Sequence, residues 1–533
     1  MPSREPPRDS VIPLSRFSPA ASRPRGKKRL EAILSRQDPA GFVASMPVQD
    51  LYFLIKEVGI VDAVELLHLS TPEQVQGFLD LVGWAGDRLE PLALRPWLAG
   101  LLDSGPEHFA SVVQGLDPEL AALILHRWTR VYNLHEEEVP ESEEPPFFPT
   151  PDRFFLVKIT ADHPDDVKMV ERMLDSLYRA DPVLARHLLR SAGTETEAYL
   201  EEMSFRFRSG RLGDIGFPAL DEALEVYRPL DVSALSIGEG SAEPRREATG
   251  LPAVMAEQAL KQGFLAKVLA RVTWADEADR LEAALVSLFN HVLAADRVDP
   301  GEPEAVALGA ARAAATLSLG LEAVARGDVD RGLEALRTIS LVRFHRTGHS
   351  LGLQLSKLVQ TLGPWADRAP LPKSEVLGAL KGQRPLFSRV LDDPPAGGTR
   401  PLGSLEDIRR AADVLAEVAE QVRFVTEVLG VDSAKLPPTA TVGDVARTAL
   451  VHAALGHGLV ASPLSPGQVL EFLQAGFQGG TFAPKVAERI EMLIPREFRA
   501  RAHGFMDEIL GDLGGLDRTK APEKRHVSGL VLE

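Results

Sequence analysis

The sequence predicts an all-α protein. Its first part reads as an α-solenoid of short helical hairpins, followed by helical-bundle-like domains, with one or two short strands near 154–160. Three observations lead there. Proline-marked helix starts recur between 46 and 132. The C-terminal half is rich in Ala and Leu at helical spacing. No alternation of strand and helix, which a parallel sheet requires, runs through the 533 residues.

The four starts are MPVQDLYFLIKEVG from Met46, STPEQVQGFLDLVGW from Ser70, LRPWLAGLLDSG from Leu94 and LDPELAALILHRW from Leu116. Their prolines are Pro47, Pro72, Pro96 and Pro118. Proline suits the first helical position, where its missing N–H would have had no partner. Thr71 and Gln74 have capping-box spacing, and Asp117 can cap the fourth start. Val75, Phe78, Leu79 and Val82 then recur as one helix face. Further apolar runs, IVDAVELLHL and PEHFASVVQGL, lie between the starts. Each unit is therefore a pair of short helices that cannot bury its face alone, and stacking the pairs gives a solenoid.

The remaining chain divides by composition. Residues 1–29 read as a disordered basic tail and 30–134 as the repeat domain. Residues 135–151 contain six Glu and five Pro and read as a linker. Residues 152–230 form a small, mostly helical segment in which FFLVKIT (154–160) is β-prone. A second linker spans 231–250, a helical C-terminal domain 251–514 and a tail 515–533. The best single helix is 404–429, with Ser404 as cap, Leu405, Ile408, Ala412, Leu415, Val418 and Val422 on one face, and Gly430 as a left-handed stop.

The hP-x-x-h-x-x-h-h starts, above all ELLHLSTPEQ and GLDPELAALIL, resemble the intracellular N-terminal domain of MgtE-type magnesium transporters. The flagellar motor switch protein FliG carries the same kind of superhelix. The resemblance covers residues 46–132. It implies a stacked helical architecture and a contact surface, because in those families such domains mediate contacts or respond to magnesium.

Charge and composition narrow the function. Lys and Arg number 59 against 76 Asp and Glu, a net charge of -17. Residues 1–30 hold eight basic and two acidic residues, a net +6, which leaves -23 on the rest. Such a body repels phosphates and anionic lipid, so generic nucleic-acid binding is not expected, while the basic head could touch an acidic partner. The absence of cysteine excludes disulfides, thiolate metal sites and a catalytic thiol. No apolar stretch follows the early arginines as in a secretory signal, and a cytoplasmic location is expected. The most apolar stretch, 307–325, includes Arg312 and Glu322 and reads as a buried soluble helix rather than a membrane span.

The expected function is a non-catalytic scaffold or regulator that binds a protein partner through the repeat surface and uses no cofactor. The alternatives rest on short motifs. Gly348-His349-Ser350-Leu351-Gly352 matches the G-x-S-x-G nucleophile elbow, follows the β-like run TISLVRF and precedes a helix-prone segment. Asp392 or Asp393 and His452 or His457 could then serve as acid and base. A glycine-permitted turn, or close packing between two helices, is the structural alternative. His345 and His349, four apart, could share a helix face as two metal ligands. The acidic balance and the transporter-like repeat allow a divalent-metal-responsive regulator, whereas the glutamates of 136–144, which could attract such ions weakly, lack spaced ligands and read as a solvated charge run. Phe205-Arg206-Phe207-Arg208 with Arg211 interleaves rings and cations, and amphipathic packing with the arginines facing solvent is the expected reading. No Walker-A string is present.

Overall fold

The computed structural model describes residues 26–136, 146–214, 217–237, 263–273, 275–478, 480–523 and 527–533. The protein is all-α, with a few short strands in small sheets. Packing divides the chain into two units. The first comprises Met1–Arg228, Ser236–Ala314 and Asp328–Arg343; the second comprises Pro229–Leu235, Ala315–Gly327 and Phe344–Glu533. The basic residues 1–25, and most of the two expected linkers (137–145 and 238–250), lie outside the described residues.

The first unit opens with stacked helices. Pro39–Ala44 packs on Val64–Leu69, Val48–Val58 on Pro72–Val82, Val64–Leu69 on Pro91–Asp103, and Pro72–Val82 on Pro106–Gly115. Each helix thus meets the one two places along the chain. Local chemistry sets the starts. Thr71 and Gln74 form the expected capping box, with Pro72 at the first helical position. Asp117 caps Pro118–Trp128 through Glu119 N and Leu120 N. Pro96, in contrast, lies inside a helix that begins at Pro91. It sits early enough that only the carbonyl of the exposed Leu92 is left without its usual donor. The centre of the stack is aromatic: Tyr52 stacks on Trp97 at 5.0 Å and Phe78 meets the same indole at 5.3 Å. Tyr52 also donates to the carbonyl of Gly301 at 3.2 Å, which ties the 299–302 turn to the stack.

The β-prone segment forms the strand Phe155–Ile159, the middle of a three-stranded antiparallel sheet. Its neighbours, Thr129–Asn133 and Phe147–Pro149, lie where the sequence predicts the end of the repeat and a linker. Phe155, Val157 and Ile159 point inward, the alternation of a half-buried strand.

In the second unit, Val442–Ala454 is buried on nearly every side, and Phe424 packs against Phe498 and Phe505. Leu405–Arg423 is capped by Ser404, continues as a π turn over Phe424–Val428, and ends at Gly430 with φ +62°, as the sequence predicts. Residues 527–533, within the expected tail 515–533, return to the core. Leu464 N donates to Val531 O at 2.9 Å, Val531 N donates to Thr448 Oγ1 at 2.8 Å, and Arg447 Nε donates to Gly529 O at 2.8 Å. Val527 and Val531 are buried.

Among the described residues one helix, Pro303–Ala325, is long and apolar enough to cross a membrane, and 56% of its apolar window is buried within the protein. That burial is the pattern of a core helix.

The two units contain the same local module, which no periodicity argument identifies. TPEQVQGFL (71–79) and SPGQVLEFL (465–473) both start with a capping box, with proline at the first helical position. Each helix runs into a glycine and then a two-residue antiparallel hairpin, Trp84–Ala85 with Arg88–Leu89 and Phe477–Gln478 with Thr481–Phe482. Each hairpin is closed by the same hydrogen bond, Glu90 N to Gly83 O at 2.7 Å and Ala483 N to Gly476 O at 2.8 Å. A second helix then begins with proline, at Pro91 and Pro484.

Deleting residues 529–533 removes the bonds to Leu464, Thr448 and Arg447 and exposes a valine-sized site. A stability loss of about 3 kcal/mol is expected in urea unfolding followed by circular dichroism.

Candidate functional site

Gly348 to Gly352 lie inside one helix, Leu341–Thr361. The run before them is not a strand: Val329–Thr338 is helical, and only Ile339 and Ser340 separate it from the next helix. The strand-to-helix turn that would lift a nucleophilic serine out of a sheet is therefore missing, which corrects the elbow reading. Gly348 and Ser350 are engaged within the helix packing instead. A Cβ on Gly348 would stand 2.0 Å from the Thr316 carbonyl oxygen, and one on Gly320 would stand 1.8 Å from that of Phe344. The two helices cross there backbone to backbone. The Ser350 hydroxyl donates to Arg346 O at 2.9 Å and accepts from Leu230 N at 2.8 Å.

The expected triad partners are engaged elsewhere. Asp392 pairs with Arg400 at 2.9 Å and Arg389 at 3.5 Å, and the Arg400 hydrogen bond holds its carboxyl below the usual range. His452 Nδ1 lies 3.4 Å from His457 Nδ1, and its Nε2 lies 3.0 Å from the Ser462 carbonyl oxygen and 3.3 Å from Ser462 Oγ. The structure thus brings the two histidines together, with Ser462 rather than Ser350. His345 and His349 do share a helix, one turn apart, with His345 buried. Among the described residues, no group of three or more His, Asp and Glu side chains is placed to hold a metal ion.

A polar cleft with an organised wall lies in the first unit. A cleft of about 410 Å³ opens beside the first turns of Pro72–Val82 and Pro118–Trp128 and the helix Glu197–Asp214. Glu73, Gln76, Asp117, Glu119, Phe207 and Arg211 help to line it. Its wall is organised by Asp80, which is 1% exposed. Arg211 grips Asp80 with Nε to Oδ2 at 2.7 Å and Nη2 to Oδ1 at 2.9 Å, and its Nη1 reaches Asp117 Oδ2 at 2.7 Å. Gln76 Nε2 donates to Asp80 Oδ1 at 3.1 Å, while Gln76 Oε1 accepts from Asp117 N at 2.8 Å. The middle and last turn of Pro72–Val82 are thereby fixed to the start of Pro118–Trp128.

Arg208 reinforces the wall. It is buried, donates Nε to Asp80 O at 2.7 Å, and lies over the Trp84 ring at 5.5 Å. Of the three arginines in this segment, only Arg206 faces solvent fully. The expectation that they all do is corrected, because the buried Asp80 needs opposite charge and donors. A sequence signal existed: Asp80 interrupts the apolar run Phe78-Leu79-Asp80-Leu81-Val82. Burial pulls the Arg208 guanidinium below its ordinary range against the opposing charges of Asp80 and Asp299. Burial also acts on Arg211, but the hydrogen bonds and charges of Asp80 and Asp117 outweigh it and raise the net value. Glu119 is pushed up, first by burial and then by the facing Asp117.

Three substitutions test these roles. Gly348→Ala is expected to cost about 3 kcal/mol by forcing the helix crossing apart, while Ser350→Ala costs about 1 kcal/mol; chemical denaturation measures both. Asp80→Asn keeps the shape but breaks the charge pair with Arg211. A loss of about 3 kcal/mol in the same assay is expected.

No curated protein and no solved structure matches the chain. One family does, over residues 8–533 and therefore across both units. The chain belongs to the family of unknown function DUF6178.

Proposed function

We propose that the protein is a non-catalytic, cytoplasmic scaffold or regulator that holds a protein partner in the cleft of its first unit. The observation that carries this reading is the cleft itself. Its walls are immobilised by the Asp80, Arg211, Asp117 and Gln76 network, while Glu73 and Phe207 remain exposed at its edge. A rigid wall with exposed side chains suits recognition, because little entropy is lost on binding. The resemblance of residues 46–132 to the MgtE-type and FliG helical domains supports a contact role, since such domains mediate contacts in those families. The acidic body argues against generic nucleic-acid binding.

The test compares proteins crosslinked in cells to the full chain with those crosslinked to Glu73→Lys and Phe207→Ala variants, two exposed changes. Partners held by the wild type and lost from both variants are expected. An identical set from all three proteins would remove the cleft from the binding role.

A further inference from the structure

We propose that the partner presents an arginine to this cleft, its guanidinium stacking on Phe207 and pairing with the carboxylates Glu73 and Glu119. This rests on the binding role just proposed and names the chemistry of the occupant.

The cleft combines apolar and acidic lining. Gly115, Leu116 and Pro118 line it beside Glu73 and Glu119, and Phe207 is 42% exposed. The local charges do not cancel. Arg211 is already held by Asp80 and Asp117, which leaves Glu73 and Glu119 as a surplus of negative charge. Glu119 is in an unfavourable setting, partly buried and facing Asp117, with His187 as the titratable group of opposite tendency. A bound cation relieves that setting, whereas a phosphate or carboxylate would worsen it. Among cations the flat guanidinium fits best. It stacks on an aromatic face and donates in a fork to carboxylates, while an ammonium acts as a point charge. An arginine already lies over an aromatic ring elsewhere in this unit, where Arg208 covers Trp84.

The probe is a fluorescein-labelled nona-arginine peptide, titrated by anisotropy against the full chain at physiological ionic strength, with nona-lysine as comparison. Nona-arginine is expected to bind about threefold or more tighter than nona-lysine, and Phe207→Ala and Glu119→Gln are each expected to weaken it by about fivefold. Circular dichroism of both variants checks that the fold is retained. Equal affinity for the two peptides, or unchanged affinity in both variants, would reduce the effect to diffuse attraction by an acidic surface and overturn the proposal. Tighter probe binding after Arg4, Arg8, Arg16, Arg23 and Arg25 are all changed to Gln would overturn it too, since the chain's own basic head would then be the competitor. Variant-dependent crosslinking alongside a failed peptide titration would sink the arginine assignment alone and leave the binding role standing.

Discussion

A carboxylate taken out of water must be answered by donors on every open side, and Asp80 sets that requirement for the first unit. It receives a two-pronged Arg211, the amide of Gln76, and Arg208 at its own carbonyl. Each of these has a second duty. Arg211 and Gln76 hold Asp117 at the start of Pro118–Trp128, and Arg208 covers Trp84 of the hairpin. One buried charge therefore joins two stacked helices, a hairpin and the helix Glu197–Asp214, and the cleft is the space left where they meet.

The periodic part of this fold was legible in the sequence. Helix starts marked by Thr71, Asp117 and Ser404, and the stop at Gly430, depend on neighbours within a few residues, so local patterns predict them. The strand Phe155–Ile159 stood out for its β-prone run. Its partner Thr129–Asn133 did not, because this short run follows directly on the helix Pro118–Trp128 and its strand is defined by pairing at a distance.

The site was less legible for a related reason. A five-residue match such as Gly348 to Gly352 has the composition of an elbow, but its meaning depends on whether the backbone bends there. In this protein the same small residues let two helices touch. Arg208 and Arg211 looked like a solvent-facing stripe because their partner, Asp80, lies more than a hundred residues away in sequence. Long-range charge pairing leaves only a faint mark in sequence, here a single acid inside an apolar run.

The two hairpin modules differ by one residue. The helix Pro72–Val82 is one residue longer than Pro466–Ala475 between the shared Phe-Leu pair and the closing glycine. One residue of α-helix corresponds to about 100° of rotation and about 1.5 Å of rise. Measured from their caps, the two hairpins therefore leave their helices in different directions. The modules are not interchangeable parts: transplanting one hairpin onto the other helix would aim its aromatic residue at the wrong neighbour.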